Sequence, residues 1–293
     1  MEHMPLKKIL IPVDFSKTSH KVFHHVKWLA RQFGSEVTLM HINEDLLFSD
    51  TFPFLEEESL KDFNEKYESF SLAKLEALKT ELLEAGIKNI DIQYAPGNVA
   101  QSISQYADEN NMDLVAMGTH GVKGMTGFLL GSNAYKVVNS IDCPVLTVHE
   151  KSHYAPYLNI VAPLDDSLYS RAKFPYIAEL ATTFKASVEV VYPKLSDSGR
   201  VHVLTEYFSQ VSAFLESKQV KHNGRELEGH FAHEVVKFAE YTNADLLVIM
   251  SDAETVVSHV LLGSQAHQII NSSKVPVITL HPDLKAEVTG NFF

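Results

Sequence analysis

Gly118, Gly121, Gly131 and Ser132 have a spacing that could do chemistry. The stretch GTHGVKGMTGFLLGS, from Gly118 to Ser132, places five glycines in fifteen residues between two apolar runs. Glycine is costly inside regular structure, so such a cluster needs a reason. Gly118 and Gly121 would let backbone N–H groups approach a ligand that a Cβ would block. Gly131, Ser132 and Asn133 would add the free N–H groups of a helix N-terminus, with the Ser132 hydroxyl beside them. That set suits a di- or triphosphate held by backbone rather than by lysine. Neither GxxxxGK[ST] nor GxGxxG occurs in this stretch. A mobile loop is the plainer alternative.

Other residues invite chemistry less strongly. Asp14 follows Pro12-Val13 at the end of an apolar run, as a ligand group or as a local turn and cap residue. His120 is a loop residue with no base role on spacing alone. His20 and His24 stand one helical turn apart, a spacing zinc ligands share, with His25 beside them. They fall on a stripe with Lys27 and Arg31 opposite the apolar face, without a third ligand, so a solvated surface is expected. Glu56-Glu57-Glu58 reads as the acidic first turn of a helix. The single cysteine, Cys143, excludes an internal disulfide and a Cys-rich metal site. Its apolar neighbours predict an inert buried thiol.

The elements that must position these residues alternate. KKILIPV reads as a buried strand, and Ser16 fits the N-cap of a helix whose stripe is Val22, Val26, Leu29, Ala30 and Phe33. Gly34 ends that helix. EVTLMHI is the second strand. Beyond Leu46–Phe54, an apolar segment in an expected loop, comes a helix with Leu60, Phe63, Tyr67, Phe70, Leu75, Leu78 and Leu82 facing inward. NIDIQYA, a helix from Val99, MDLVAMG, a helix over Ser132–Ser140 and CPVLTVH complete the set. Strand–helix alternation implies a doubly wound parallel sheet, with ligands at the strand C-termini where the winding reverses. The candidate points are Pro12-Val13-Asp14 and Met117-Gly118.

The chain then repeats itself. KKILIPVDFS matches YLNIVAPLDDS, with Pro12 on Pro163, Asp14 on Asp165 and Ser16 on Ser167. Gly97–His149 overlays Gly229–His281 without a gap, pairing Asp113 with Asp245 and Gly131-Ser132 with Gly263-Ser264. Two homologous units are expected, at residues 1–150 and 157–284. The second keeps the helix start but has Met250 for Gly118 and Ala253 for Gly121, with Asp252 and Glu254 where they would repel an anion. Pro175 falls inside its expected first helix and should kink or restart it.

A formal net charge of -12 argues against broad nucleic-acid or anionic-membrane binding. Neither a signal peptide nor a transmembrane run is seen in the sequence, and a cytoplasmic location is the default expectation.

The combination of Pro12-Val13-Asp14, Gly118-x2-Gly121-x9-Gly131-Ser132 and a Cys-Pro-Val-Leu strand resembles the universal stress protein family, in its ATP-binding branch. The resemblance covers both halves. It implies two tandem α/β units, each a five-stranded parallel sheet in the order 3-2-1-4-5 with helices on both faces, akin to adenine-nucleotide hydrolase-like folds. It implies that the last strands pair the units as an internal pseudo-dimer, with self-association as a homodimer or a protein partner beyond that. Carried over by position, Pro12, Val13 and Asp14 would line an adenosine pocket, Ile42 would meet adenine through its backbone, and Met117 would pack on the nucleoside. Gly118, His120 and Gly121 would flank ribose and phosphates, and Gly131, Ser132 and Asn133 would hold the phosphates. The ligand implied is ATP, to which Mg2+ could be joined, though no carboxylate pair demands it. The function implied is an ATP-binding stress-response or regulatory protein. A slow ATPase or other nucleotide-using enzyme is the alternative, against which no nucleophile–base pair, metal-binding carboxylates or arginine clamp has suitable spacing. A nucleotide-free dimeric scaffold is the third reading.

Overall fold

A computed structural model describes residues 6–44, 57–119, 131–154, 156–167, 169–251 and 264–282, with backbone alone at 57–60. His120, Gly121, Leu46–Phe54, Glu56, Asp252, Ala253, Glu254 and Gly263 lie outside the described residues.

The first half runs β1 (Lys8–Pro12), α1 (Lys17–Phe33), β2 (Glu36–Asn43), α2 (Glu57–Glu84), β3 (Ile90–Pro96), α3 (Val99–Glu109), β4 (Leu114–Gly118), α4 (Ser132–Ser140) and β5 (Val145–Val148). The second runs β6 (Asn159–Pro163), α5 (Phe174–Phe184), β7 (Ser187–Pro193), α6 (Ser198–Ser217), β8 (His222–Leu227), α7 (Phe231–Tyr241), β9 (Leu246–Met250), α8 (Ser264–Ser272) and β10 (Val277–Leu280). Local chemistry sets these boundaries. Ser16 caps α1 by accepting from the Ser19 N–H, and Gly34 ends it at φ 67°, donating its N–H to the Ala30 carbonyl. Pro175 restarts rather than kinks its helix: α5 begins at Phe174, and residues 169–173 are turns. The repeated Asp113 and Asp245 are structural. Each accepts two backbone N–H groups at the start of the adjoining strand, Lys7 and Lys8 in one case and Leu158 and Asn159 in the other.

Within each half the strand order is 3-2-1-4-5 and every pairing is parallel. The halves do not stop at their own edges. β10 pairs β5 antiparallel, with Ile278 opposite Leu146, so a single ten-stranded sheet runs β3-β2-β1-β4-β5-β10-β9-β6-β7-β8. Each would-be edge strand thereby satisfies its backbone on the other half. Two apolar layers follow, one per face, and each draws on both halves.

That junction overturns one expectation about α1. His25 is fully buried, and its Nδ1 lies 2.8 Å from the hydroxyl of Tyr157, itself fully buried. His25 follows Val22 by three positions and so borders the core stripe. The second half widens that stripe: Trp28 packs on Phe184 at 4.4 Å between ring centroids and on Tyr157 at 5.2 Å. His20 and His24 do face solvent. A second expectation fails on α2. Leu75 and Leu82 are fully buried, whereas Phe63 and Phe70 are 52% and 55% exposed. The inward stripe of this 28-residue helix runs through Ser71, Leu75, Leu78 and Leu82, and Phe63 and Phe70 fall about 100° around the helix from it.

Candidate functional site

Winding reverses between β1 and β4, so a crevice forms outside their C-terminal ends. β1 brings Pro12 there, the segment after it brings Val13 and Asp14, β2 brings Ile42, β4 brings Met117 and Gly118, and α4 brings Ser132 and Asn133 behind its cap Gly131. The fold therefore gathers every described residue of the predicted set at one end of the sheet. Met117 and Ile42 are buried, while Gly118, Gly131 and Asn133 are half-buried and Ser132 is exposed.

The β4–α4 side of the crevice is built on Thr119. Its N–H reaches the Val148 carbonyl at 3.0 Å, and its carbonyl accepts the Gly131 N–H at 2.7 Å. This fastens the start of α4 to the end of β4, with Gly118 and Gly131 on either flank. No side chain caps α4 at Gly131. Its first-turn N–H groups are those an anion would take. Asn133 Nδ2 points to Glu44 Oε1 at 3.5 Å.

Asp14 serves a turn. Its Oδ1 accepts the Ser16 N–H at 3.0 Å and the Ser19 hydroxyl. Asp165 repeats this, taking the Ser167 N–H at 2.9 Å while its own N–H donates to Ser170 Oγ at 2.9 Å. The aspartate thus shapes the loop after the first strand in both halves, and recurrence alone marks no ligand.

The β1–β2 side of the crevice contains a feature absent from the predicted set. Residues of β2 bond alternately to its two neighbours: Glu36 donates to Lys7 beside β1, and Val37 donates to Asn89 beside β3. By this alternation Met40 and Ile42 face β1. The Met40 carbonyl accepts the Val13 N–H at 2.8 Å. The next rung would run from the Ile42 N–H to the Val13 carbonyl, and it is not made. His41 Nδ1 takes that carbonyl instead, at 2.7 Å. A carbonyl can only accept, so Nδ1 carries the proton and Nε2 accepts from the Tyr67 hydroxyl of α2 at 3.3 Å. The next donor of a continuing ladder, the Phe15 N–H, makes no bond to the Ile42 carbonyl, while the Asp14 N–H, on the other edge of the chain, points to Ser19 Oγ at 3.5 Å. Among the described residues the Ile42 peptide edge, donor and acceptor together, thus has no partner on the crevice side. Burial pushes the His41 pKa down, against the opposing pull of the Val13 carbonyl and Asp14. Phe15 covers the ring at 4.6 Å from a left-handed backbone, φ 59°. The sole sequence sign of this arrangement was a histidine near the end of the strand VTLMHI.

The second half has lost these parts. Pro193 stands at the position of Ile42 and has no N–H to offer. Asp166 replaces Phe15 and is held by Arg200, Nε to Oδ2 at 2.6 Å and Nη2 to Oδ1 at 2.8 Å. That forked pair keeps the Asp166 carboxyl below its ordinary pKa. Lys173 replaces Val22, is buried, and turns its ammonium onto the Ser170 carbonyl at 2.5 Å. Among the described residues no group of three His, Cys, Asp or Glu side chains is placed to hold a metal ion. None of the described helices is long and apolar enough to cross a membrane.

Comparisons with known proteins agree with this doubled arrangement. The sequence pattern of the universal stress protein family matches residues 5–149 and again residues 156–281. The universal stress protein MJ0577 of Methanocaldococcus jannaschii is 31% identical over 157 residues, which cover 50% of this chain and 96% of that protein. The universal stress protein YxiE of Bacillus subtilis is 27% identical over 145 residues, 48% of this chain and 97% of that one. Among solved structures, a universal stress protein from Archaeoglobus fulgidus superposes with a TM-score of 0.76 over 94% of this chain and 98% of its own. At 17% identity that likeness is one of fold.

Proposed function

The chain belongs to the universal stress protein family, and on that premise we propose that its first half binds an adenine nucleotide, ATP above all, while its second half does not. The observation that carries this reading is the open Ile42 peptide edge at the same sheet end as the uncapped start of α4. Adenine presents a ring-nitrogen acceptor beside an amino donor, the complement of one peptide edge. Met117 would pack on the nucleoside, with Pro12, Val13 and Asp14 around the ribose. Gly118, His120 and Gly121 would flank the phosphates, and Gly131, Ser132 and Asn133 would hold them. Mg2+ would enter with the phosphates, as counter-charge.

In the second half, Pro193 removes the base-reading donor, and Met250 replaces the glycine of close approach. Its role is structural or partner-binding, and the two units would be residues 1–150 and 157–284. Nucleotide occupancy would act by favouring one packing state or one protein partner over another, in a cytoplasmic stress response. Binding rather than turnover fits the crevice, because no described side chain there is poised as a base for an attacking group.

Calorimetry on the full chain tests this reading. One ATP per chain is expected, lost in Gly118→Val and weakened in Ser132→Ala. Two equivalent sites, or none, would sink it. Release of ADP that disappears with the same substitutions would favour the enzyme reading.

A further inference from the structure

We propose that His41 is the positioning residue of the first-half site: by taking the Val13 carbonyl it keeps the Ile42 N–H out of the ladder and free for a base. The inference rests on the reading of that crevice as an adenine-nucleotide site.

The argument begins with an unfinished ladder. β1 and β2 pair in register from Lys8 with Glu36 to Pro12 with Met40. The Val13 N–H continues the pattern to the Met40 carbonyl at 2.8 Å. Val13 is 3% exposed, so its carbonyl needs a donor, and the Ile42 N–H is the one a parallel ladder would supply. An imidazole N–H at 2.7 Å fills that need instead. His41 lies next to Ile42 in sequence, and its ring folds over the strand end to reach Val13. The ring is fixed there. Tyr67 holds its second nitrogen from α2, Phe15 lies against one face at 4.6 Å, and Tyr94 lies at 6.0 Å.

The second half shows what the position becomes when the device is abandoned. Tyr192 stands at the place of His41, and Pro193 at that of Ile42. The preceding rung survives, with Leu164 donating to Val191 at 2.8 Å. The donor is then deleted outright and needs no guard. Tyr192 packs on Phe208 at 5.2 Å.

The test compares wild type with His41→Leu and His41→Asn in the full chain. Leucine removes the donor, so the Val13 carbonyl should recapture the Ile42 N–H. Asparagine carries an amide donor at the chain position of Nδ1 and should retain the function. Amide exchange is read first, without nucleotide. In wild type the Ile42 N–H should exchange faster than the laddered Met40 N–H; in His41→Leu it should become protected. Calorimetry with ATP and GTP is read second. His41→Leu should weaken ATP about ten-fold, the worth of roughly one hydrogen bond, and leave GTP unchanged. His41→Asn should restore most of the difference. An Ile42 amide protected in free wild type would overturn the inference. So would equal loss in His41→Leu and His41→Asn, since packing alone would then explain the effect. If wild type binds no adenine nucleotide while its Ile42 amide is open, the nucleotide reading fails and the ladder geometry stands. If His41→Leu keeps both affinity and selectivity, the inference fails and the nucleotide reading stands.

Discussion

The Tyr157 hydroxyl and the His25 Nδ1 meet at 2.8 Å, both side chains fully buried, one from the segment entering the second half and one from α1 of the first. His25 Nε2 has no hydrogen-bond partner among the described residues. Burial, with His24 and Lys21 adding repulsion, lowers the His25 pKa to about 4. The fold therefore prefers the neutral ring. A lowered histidine pKa gives stability that is full above the unfolded value near 6.5 and lost as pH falls from there toward about 4. The upper bound for that loss is about 3 kcal/mol. Burial lowers His281 to about 4 as well, with the same sign. Denaturant titrations at pH 7.5, 6, 5 and 4 should show the fall. The double variant His25→Phe, Tyr157→Phe removes both polar ends and should lose less on acidification than wild type. An identical pH profile in the two proteins would contradict this account.

Cys143 should be silent in the native protein. Burial pushes its thiol up to about 12, with Asp108 adding repulsion. Almost no thiolate exists at neutral pH, and the thiolate is the nucleophile. A maleimide should label the folded chain slowly and the guanidinium-unfolded chain fully. Fast labelling of the folded chain at pH 7 would show the site to be open.

Gly224 on β8 has no room for a side chain. A Cβ there would lie 2.4 Å from Phe208 Cζ and 2.7 Å from Cε2, ring atoms that cannot bend aside. Gly224→Ala should cost about 1–3 kcal/mol through overpacking between β8 and α6. Pairing it with Phe208→Leu should recover part of that loss, which chemical denaturation of the double variant would measure.

The two ends of α2 should respond differently. Leu75 is fully buried, so Leu75→Ala should cost about 2–5 kcal/mol through lost burial and a cavity. Phe63 is 52% exposed, so Phe63→Ala should stay within about 0.5 kcal/mol. Similar losses at the two positions would mean that the Phe63 face of α2 is covered in solution.

Sequence alone determined whatever is written in local or repeated chemistry. Ser16 and Gly34 marked the ends of α1 because capping needs only neighbouring residues. The start of α4 at Ser132 was legible from the Gly131-Ser132 pair ahead of a helical stretch, and the repeat of Pro12-Val13-Asp14 as Pro163-Leu164-Asp165 announced two copies of one unit. Alternation of strands and helices pointed to a doubly wound parallel sheet, and the strand order in each half was what the family resemblance implied. Tertiary structure decided everything that depends on a distant partner. His25 shares its turn with charged residues, and only Tyr157, 132 positions away, makes it a core residue. Phe63 and Phe70 share a face with each other but stand about 100–140° around the helix from Leu75 and Leu82, and only the packed core shows which of these apolar faces turns inward. His41 reads as one polar residue in a strand until the Val13 carbonyl is placed 2.7 Å from its ring. The antiparallel join of β5 to β10 fuses two sheets because each edge offers the other the hydrogen bonds that neither can make alone.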